Sequence, residues 1–599
     1  MRKGIATLSV RGRLLDKLPA IADAGFDGVE IFDNDLVSCP VSPREVAARC
    51  ADLGLAVDLF QPVRDAAGVA PERFPDTLRR VAAKLDVAGE LGAPVVLACS
   101  HVGAESVDDL DLLAEQLHAI GAAAAERGLV VAFEALAWGR HVNRVGQAWE
   151  AVRRADHPSV TVAVDTFHVL ARGDDGTALA GIPGDRVGFL QVADGPLLDM
   201  DVLEWSRHHR CFPGQGTLDV AGVVGATLTA GYRGPVSLEV FSDVVREADP
   251  AVTARDGFRS LVFLEDRLAA TLTEPAARTV SAAPPAPERT DLAFLELANP
   301  SASAQPRALL SALGFVPAGR HRSKPVTWWR NGDAHVVLND TPGGTVWHAL
   351  GVVTPQVETV AARAKALLWP AVDRTRGDGE ALLPGITSPA GVHVFVSATP
   401  GHSDDWRQDF VGDPETGSTG DGWHGIDHVG IAVPGDRLNE EVGFLRTVFG
   451  LVPAPVEEFW EPQGRLRSRA LRPAAGNARL VLNVEDVTSR FPREGITQVA
   501  FACDDLLARV RDLRARGVRL MPVPDNYYVD LVARFGLDAE RVELLRAHQV
   551  LYDRVGEGEL LHVYTGVLET GFYVELLERR GGYDGYGSPN THVRLAVQG

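Results

Sequence analysis

The first 272 residues alternate short apolar runs with longer amphipathic stretches. Between the apolar runs, segments such as RFPDTLRRVAAKLDVAGELG place apolar residues at spacings of three and four, which is the period of an amphipathic helix. The short runs are rich in β-branched residues and predict eight strands: GIATLS, GVEIF, AVDLF, PVVLA, VVAFE, TVAVD, VGFLQ and PVSLE. Eight successive strand and helix units predict an α/β fold, a (β/α)8 barrel over residues 1–272.

The pattern changes after the eighth unit. The stretch TLTEPAARTVSAAPPAPERT is rich in Ala and Pro and has no apolar period, which is typical of an extended linker. We place this linker at residues 273–289, with the domain boundary near Pro284. A second domain is expected over residues 290–599, where strand-like runs carry hairpin signals; in VTWWRNGDAHVVLND the pair Asn331-Gly332 is expected to form a type I′ turn.

The second domain also contains an internal repeat. LLSALGFVPAG at residues 309–319 is similar to FLRTVFGLVPAP at residues 444–455, and in each a helix end runs into a strand. The period of about 130 residues predicts two copies of one βαβββ-containing module rather than a solenoid. The two halves are expected at about residues 290–415 and 421–599.

Four predicted barrel strands end on a residue that can bind a metal: Glu134, Asp165, Gln191 and Glu239. A barrel of parallel strands gathers these ends at one mouth, so we expect all four to hold one divalent cation. Carboxylate and amide oxygens are hard donors that suit Mg²⁺ or Mn²⁺, with Co²⁺ as a further candidate, and the absence of cysteine from the set argues against structural zinc. For each residue alone, the alternative is a helix cap or the start of a loop.

Two histidines follow barrel strands and are candidates for acid–base chemistry. His168 lies three residues after Asp165 on the same loop, and an unperturbed imidazole titrates close to neutral pH, which suits a general base. The alternative for His168 is a hydrogen bond that orients a ligand or the loop. His101, after the run PVVLA, is the second candidate base and a candidate substrate-binding residue.

Composition narrows the classes of partner. The 59 basic and 80 acidic residues give a net charge of −21, which disfavours nucleic acid and anionic membranes and favours a small soluble ligand. The five cysteines are odd in number, widely spaced and without a CxxC pair, which is typical of reduced, buried thiols. No run is long enough for a signal peptide or a membrane span, so a cytoplasmic location is expected, and a homo-oligomer stays open.

The ligand order Glu, Asp, Gln, Glu, together with DTFH at residues 165–168 and RCFPGQGTLD at 210–219, resembles the xylose-isomerase-like sugar epimerases and isomerases. The phrases FEALAWGRHVN and LFQPVRD make the chain more similar to the bacterial 3-dehydroshikimate dehydratases that carry a C-terminal dioxygenase-like domain. This resemblance covers the whole chain. It implies a carbon–oxygen lyase that converts 3-dehydroshikimate to protocatechuate and water in quinate and shikimate catabolism. At the third ligand, where many epimerases have histidine, this chain has Gln191, whose amide oxygen can fill the place.

The implied reaction assigns roles to further residues. A metal chelated by a ketone and the neighbouring hydroxyl acidifies the C–H between them, a base removes the proton, and the β-hydroxyl leaves. Arg210 stands where related epimerases hold a substrate-binding arginine, and Arg64 follows the third strand. Both are candidates to bind the substrate carboxylate, because guanidinium holds carboxylate in a fork; the alternative for Arg64 is an ion pair with Asp65 or another surface acid.

In the second domain, GIDHVGIAV at residues 425–433, GITQVAFACDD at 495–505 and FYVELLERRGGYDGYG at 572–587 resemble 4-hydroxyphenylpyruvate dioxygenase. The resemblance implies an α+β vicinal-oxygen-chelate fold with a metal site of two histidines and one glutamate. The matching residues here are His428, Gln498 and Glu575. Gln498 replaces the second histidine, and an amide oxygen is a weaker donor than imidazole, so a second divalent metal would be held less tightly.

Three hypotheses follow for the activity. The leading one is a metal-dependent dehydratase in the barrel with an accessory dioxygenase-like domain, kept for stability, assembly or ligand sensing. The rivals are a keto-sugar epimerase or isomerase that uses the same metal and His168, and a keto-acid dioxygenase in the C-terminal half. Product analysis separates the first two, and oxygen uptake tests the third.

Overall fold

A computed structural model describes residues 1–299, 303–341, 348–412, 423–461, 464–487, 495–568 and 571–598. The chain divides into two compact units, Met1–Ala283 and Pro284–Gly599. Among the described residues, no helix is both long enough and apolar enough to cross a membrane. All five cysteines are unpaired; four are buried and Cys39 is half-buried.

The first unit contains a closed barrel of eight parallel strands, which confirms the predicted (β/α)8 fold. The strands pair in chain order and the first also pairs with the eighth. Their bounds are β1 Lys3–Ala6, β2 Gly28–Phe32, β3 Ala56–Val63, β4 Val95–Cys99, β5 Val130–Glu134, β6 Val160–Asp165, β7 Val187–Val192 and β8 Val236–Leu238.

Helices join these strands and pack on the outside of the barrel, where their apolar residues share one large core with the outward-facing residues of the strands. The helices are α1 Leu14–Ala24, α2 Asp33–Val37, α3 Pro43–Asp52, α4 Phe74–Leu91, α5 Leu110–Ala125, α6 Val145–Ala155, α7 Thr166–Ala171, α8 Val202–His208, α9 Val220–Thr229, α10 Asp243–Glu247 and α11 Pro250–Ala269.

A second, smaller core fills the inside of the barrel. Leu59, Leu97, Ala132, Ala163 and Phe189 belong to it, each from a different strand. Because side chains alternate along a strand, the residue two positions further on also points inward. For β5, β6 and β7 that residue is one of the predicted metal ligands, so the ligands lie directly above the inner core.

The stretch after α11 differs from an extended linker. Ala276–Thr279 form a turn of 3₁₀-helix, and the terminal amino group of Met1 donates to the carbonyl oxygen of Thr279 at 2.7 Å. Leu272, Ala276 and Val280 recur every four residues and pack against the barrel core. The Ala and Pro content of this segment concealed that short apolar stripe.

The second unit contains two curled sheets, as expected for a vicinal-oxygen-chelate fold. The first sheet has the strand order β14-β15-β13-β9-β12-β11-β10-β16. Its elements are β9 Asp291–Ala298, α12 Gln305–Ala312, β10 Val316–His321, β11 Val326–Asn331, β12 Ala334–Asn339, β13 His348–Val353, α13 Val357–Ala366, β14 Gly385–Thr387, β15 His393–Ser397 and β16 Phe410–Val411.

The second sheet has the order β18-β20-β21-β17-β22-β25-β24-β23, and β19 pairs with β20. Its strands are β17 Trp423–Ala432, β18 Val452–Pro453, β19 Glu457–Glu461, β20 Gly464–Arg472, β21 Leu480–Val487, β22 Gly495–Cys503, β23 Leu551–Val555, β24 Gly558–Tyr564 and β25 Tyr573–Arg580. Its helices are α14 Leu438–Phe449, α15 Leu506–Ala515, α16 Asp525–Phe535, α17 Ala539–His548 and α18 Thr591–Gln598.

The repeat seen in the sequence corresponds to equivalent places in the two sheets. LLSALGFVPAG covers the end of α12 and the start of β10, and FLRTVFGLVPAP covers the end of α14 and β18. Within each sheet the chain runs from a strand through a helix into antiparallel strands twice. The described part of the unit therefore contains four such strand–helix–strand modules, two in each sheet. One period of the sequence repeat corresponds to one whole sheet.

The prediction of a type I′ turn at Asn331-Gly332 is wrong. Asn331 pairs with Ala334 at the end of the hairpin, so the two loop residues are Gly332 and Asp333. Gly332 has a φ of 54°, but Asp333 does not have a positive φ, and a type I′ turn requires one at both positions. Asn331 stays in the strand because its buried amide donates to the carbonyl oxygen of Leu313 at 3.2 Å.

Candidate functional site

The carboxyl ends of β5 to β8 bring the four predicted ligands to one mouth of the barrel. Glu134 is the last residue of β5 and Asp165 is the last of β6, where it pairs in register with Gln191 of β7. Glu239 follows β8, and its N–H donates to the carbonyl oxygen of Val192 at 3.1 Å. All four side chains are buried.

Arg210 links the carboxylates of this site. Its Nη1 donates to Asp165 Oδ2 at 2.8 Å and to Glu239 Oε2 at 3.1 Å. Its Nη2 donates to Ser206 Oγ at 2.8 Å, and the guanidinium lies 4.5 Å from the centre of the Phe167 ring. Arg210 is 1% exposed, so its charge acts on the carboxylates without screening by water.

Gln191 is held by a residue that the sequence did not single out. Gln191 Nε2 donates to Glu30 Oε2 at 2.7 Å, and Gln61 Nε2 donates to the same oxygen at 2.8 Å. Because its nitrogen faces Glu30, the amide oxygen of Gln191 has the opposite direction; it is buried and has no hydrogen-bond partner among the described residues. That orientation presents the oxygen as a ligand atom.

The protonation of the carboxyl groups is strongly perturbed. Burial raises the pKa of Glu134 well above its usual range, and the charges of Glu239 and Asp165 raise it further. Burial, with a contribution from Asp165, also raises the pKa of Glu239 to about 7 although Arg210 opposes this. The pKa of Asp165 is lowered in spite of its burial, because Arg210 and His168 stabilise the carboxylate.

This donor set fits a divalent cation. Three carboxyl groups face a single guanidinium, which leaves a surplus of negative charge in a buried place. Glu134 Oε1 and Gln191 Oε1 are buried oxygens without hydrogen-bond partners among the described residues. A divalent cation would neutralise the surplus charge and bind both oxygens; the set contains only hard oxygen donors.

His168 lies among these ligands. Its Nε2 is 3.6 Å from Glu134 Oε1 and 3.7 Å from Asp165 Oδ2, and the N–H of Ala137 donates to its Nδ1 at 3.2 Å. Ligand atoms of Glu134, Asp165 and His168 all lie within 4.8 Å of one another. Burial lowers the pKa of His168 to about 3, and Arg210 and Arg207 contribute, so the ring is neutral near pH 7.

The mouth above the ligands is lined by two arginines, Arg64 and Arg207, in addition to the buried Arg210. Neither Arg64 nor Arg207 has an ion pair with a described residue, so the alternative of an Arg64–Asp65 pair is not seen. The guanidinium of Arg207 lies 4.6 Å from the centre of the Phe241 ring. His101 does not line the mouth; its Nδ1 lies 3.6 Å from Asp65 and accepts from the N–H of Gly103 at 3.0 Å.

The second sheet of the C-terminal unit brings together His428, Gln498 and Glu575. His428 Nε2 is 3.2 Å from Glu575 Oε2, and Gln498 Nε2 donates to the same oxygen at 2.5 Å. The hydroxyl of Tyr573 donates to Gln498 Oε1 at 3.0 Å, and His562 Nδ1 lies 2.7 Å from Glu575 Oε1. Every predicted ligand of this group is thus already hydrogen-bonded to a neighbour.

Comparison with known proteins agrees with this architecture. Residues 18–263 match the family model of the xylose isomerase-like TIM barrel. A 3-dehydroshikimate dehydratase of Pseudomonas putida is 42% identical over an alignment 626 positions long, which covers 100% of this chain and 98% of that protein. The chain belongs to the 3-dehydroshikimate dehydratase family.

Two further relatives extend the comparison. A solved xylose isomerase-like TIM barrel/4-hydroxyphenylpyruvate dioxygenase fusion protein is 40% identical and superposes with a TM-score of 0.90, covering 100% of this chain and 99% of that one. A 4-hydroxyphenylpyruvate dioxygenase of Pseudomonas aeruginosa is 26% identical over 50% of this chain and 90% of its own length. These matches confirm the resemblances found in both halves of the sequence.

Sequence reasoning missed Glu30, Arg207 and His562. Glu30 interrupts the apolar run GVEIF, and an acidic residue inside a buried strand is a usable signal. Arg207 opens the basic run RHHR that ends at Arg210. His562 lies on β24 next to the strand of Glu575, and only the pairing of these strands reveals its place.

Proposed function

We propose that the barrel dehydrates 3-dehydroshikimate to protocatechuate, with one divalent cation bound by Glu134, Asp165, Gln191 and Glu239. The observation that carries this proposal is the convergence of these four oxygen ligands beneath a mouth where Arg64 and Arg207 have no ion pair with a described residue. The names of the full-length relatives support the same reaction. Mg²⁺ and Mn²⁺ suit the oxygen set best, with Co²⁺ as a further candidate.

When bound, the cation acts as a Lewis acid that lowers the pKa of the C–H between the ketone and the neighbouring hydroxyl. The residues of the chain supply the rest of the chemistry. A base takes this proton, the electron pair moves into an enolate, and the β-hydroxyl leaves as water with a proton returned by the protonated base. The ring then loses its remaining ketone character by tautomerisation to the catechol acid.

His168 is the proposed base. It is neutral near pH 7, so it is able to accept a proton, and the carboxylates of Glu134 and Asp165 lie close enough to stabilise the resulting imidazolium. The alternative is an orienting role, which two contacts favour. The N–H of Ala137 donates to Nδ1 at 3.2 Å, and Nη2 of Arg210, which can only donate, lies 3.3 Å from Nε2, so both ring nitrogens already contact donors.

The arginines divide into two proposed roles. Arg64 and Arg207 bind the substrate carboxylate, since both line the mouth and neither is paired with an acid among the described residues. Arg210 fixes the positions of Asp165 and Glu239. Contact of Arg210 with a substrate oxygen, and any contact of His101 with substrate, stay predictions.

For the second sheet we propose ligand binding or a structural role rather than keto-acid oxygenation. Both oxygens of Glu575 and the amide oxygen of Gln498 already accept hydrogen bonds, so the set does not present three open ligand atoms. An iron site would need these bonds to be broken. We therefore assign no step of a reaction to this group.

The decisive experiment is incubation of the purified full-length chain with 3-dehydroshikimate, with and without a chelator. We expect an ultraviolet-absorbing product lighter than the substrate by one water, formed only when a divalent metal is restored. A product of unchanged mass would indicate the epimerase or isomerase alternative. No reaction in metal-replete buffer would contradict the proposal, and oxygen uptake with 4-hydroxyphenylpyruvate would support the dioxygenase alternative.

A further inference from the structure

The first sheet of the C-terminal unit curls around a cavity of about 500 Å³, which we call the first-sheet cavity. The cavity beside His428 in the second sheet is smaller, about 190 Å³. Pockets for small molecules span roughly 300–1,000 Å³, so the first-sheet cavity has the size for a ligand of one or two rings. No residue of the proposed dehydration lies here, and the inference does not depend on that function.

One side of the cavity is an aromatic wall. Phe294 and Glu296 on β9, and His393 and Phe395 on β15, are spaced by two, so each pair points to the same concave face. Trp406 adds a further ring, with its centroid 4.8 Å from that of Phe294. Such a surface favours a flat, apolar ring.

A buried acid points into this cavity without a full set of partners. Glu296 is 8% exposed, and its Oε1 accepts from Asn339 Nδ2 at 2.8 Å. Its other oxygen has no hydrogen bond to a described residue. This oxygen is accessible from the cavity, so a hydroxyl group of a ligand can donate to it.

A second acid faces the same space. Asp409 is 1% exposed and lines the cavity. One of its oxygens accepts from the N–H of Ala381 at 2.7 Å, and the other is 3.9 Å from His321 Nε2, beyond hydrogen-bonding distance. The cavity therefore offers a second acceptor for a ligand donor.

Two cations lie at another part of the wall. Lys324 Nζ is 2.7 Å from Glu380 Oε2, and Arg374 Nη2 is 3.8 Å from the same oxygen. Two cations thus share one carboxylate, and both line the cavity whereas Glu380 does not. Their remaining N–H groups are suited to a carboxylate.

A metal ion is the competing occupant, because ligand atoms of His321, Glu380 and Asp409 lie within 4.8 Å of one another. Their existing hydrogen bonds oppose it. The N–H of Ser323 donates to His321 Nδ1 at 3.2 Å, which leaves the hydrogen of the neutral ring on Nε2, the atom that faces the acids. Both oxygens of Glu380 accept, one from the hydroxyl of Ser323 and one from Lys324.

We propose that the first-sheet cavity binds a small aromatic carboxylic acid that carries ring hydroxyl groups. The ring lies against the aromatic wall, the carboxylate binds Lys324 and Arg374, and the hydroxyl groups donate to Glu296 and Asp409. Three observations support the three parts of the ligand: the aromatic wall supports the ring, the pair of cations supports the carboxylate, and the two acceptors support the hydroxyl groups.

The test is isothermal titration of the full-length chain with 4-hydroxybenzoate. Two variants change the site in different ways. Val337→Phe fills the cavity, since Val337 is buried, lines it and pairs in register with Glu296. Glu296→Gln keeps the bond to Asn339 but presents an NH₂ group where the free acceptor was. Ser468→Phe, in the cavity of the second sheet, is the matched control, and Arg207→Ala reports binding in the barrel mouth.

We expect each of the two cavity variants to weaken binding by about 10-fold or more, roughly the effect of one charged hydrogen bond, and Ser468→Phe and Arg207→Ala to leave it unchanged. Benzoate should bind less tightly than 4-hydroxybenzoate, and cyclohexanecarboxylate less tightly still. If the Tm of Val337→Phe shows that this variant does not fold, the affinity of Glu296→Gln for 4-hydroxybenzoate tests the proposal alone. The proposal is overturned by unchanged affinity in that variant, by loss only in Ser468→Phe or Arg207→Ala, by tighter binding of 4-hydroxybenzylamine or of Zn²⁺ alone, or by no binding of any acid.

Discussion

In the barrel, Glu134, Asp165 and Glu239 converge on a single guanidinium, whereas in the second sheet of the C-terminal unit Glu575 alone is surrounded by His428, His562 and Gln498. All of these acids are buried. The pKa values of Glu134 and Glu575 nevertheless move in opposite directions. Burial and neighbouring carboxylates raise the pKa of Glu134, while for Glu575 hydrogen bonds from His428 and His562 outweigh burial and lower the pKa to about 2.

The difference separates the proposed cation site from a group whose ligand atoms are already hydrogen-bonded. The barrel has more carboxyl groups than its arginine can neutralise and keeps buried oxygens without hydrogen bonds to described residues, so a divalent cation would stabilise it directly. In the second sheet the ligand atoms satisfy one another, and a metal must first displace those bonds. Similar residue types therefore lead to opposite expectations for metal dependence.

The largest effect should come from removing a barrel ligand. Glu134→Gln keeps the size of the side chain but removes a charge that the cation requires, so dehydration should fall by about 10³-fold or more, in line with losses of electrostatic stabilisation. Product formation from 3-dehydroshikimate and bound metal, measured together, check this. Full turnover by Glu134→Gln after metal removal would show that dehydration in the barrel does not require a cation.

The matched control lies in the other site. Glu575→Gln removes the equivalent charge from the second sheet and should leave the dehydration rate unchanged, provided that the variant keeps its Tm. A loss of dehydration as large as that of Glu134→Gln, in a folded protein, would mean that the two sites are functionally joined.

His168→Asn should lower kcat by roughly 10²- to 10⁴-fold while KM changes little, because a general base acts chiefly in the transition state. His428→Asn is the counterpart in the second sheet and should leave both parameters unchanged. If His168 only orients the metal ligands, the variant should instead lose bound metal, and added metal should restore most of the rate. Steady-state kinetics over a range of metal concentration distinguishes the two outcomes.

Glu30→Gln tests the orientation of a neutral ligand. In this variant a neutral amide oxygen replaces the carboxylate that accepts from Gln191 Nε2, and a change to such a supporting contact typically costs 10- to 100-fold in metal affinity. Equilibrium dialysis against Mn²⁺ measures this without reference to activity. Asp58→Asn is the control, because Asp58 is a buried acid of the same barrel that pairs with Arg2 away from the ligands. Equal Mn²⁺ affinities for wild type and Glu30→Gln would show that Glu30 does not support metal binding.

The sequence predicted those parts of the molecule that repeat with a simple period. Glu134, Asp165 and Gln191 could be found because each ends an apolar strand, and parallel strand ends must meet at one mouth. The role of Glu30 could not be predicted, since it depends on a hydrogen bond across the barrel to Gln191, 161 positions away. The apolar stripe of Leu272, Ala276 and Val280 was hidden because small and proline residues around it matched a linker composition.

Arg207→Ala should have a moderate effect confined to substrate binding. Removing one charge-assisted hydrogen bond to a carboxylate costs roughly 1.5–3 kcal/mol, so KM should rise by about 10-fold or more with a smaller change in kcat. Arg44→Ala, at an exposed position of the same unit, controls for the loss of a positive charge. A fall in kcat at constant KM would assign Arg207 to the reacting centre rather than to the carboxylate.

The smallest effect on dehydration, none, is expected from Gln498→His, which addresses the second sheet alone. The imidazole is a better donor for iron(II) than an amide oxygen. The substitution also removes one of the two side chains that contact Glu575 Oε2 and leaves His428 Nε2 as the other. Iron content after equilibrium dialysis should therefore rise relative to wild type.

Tyr573→Phe is the matched control: it releases the oxygen of Gln498 from its hydroxyl partner but adds no donor, so it should raise iron content less than Gln498→His. Brisk oxygen consumption by the wild type with 4-hydroxyphenylpyruvate would contradict this account, because it would show that the hydrogen-bonded set opens to form a working site.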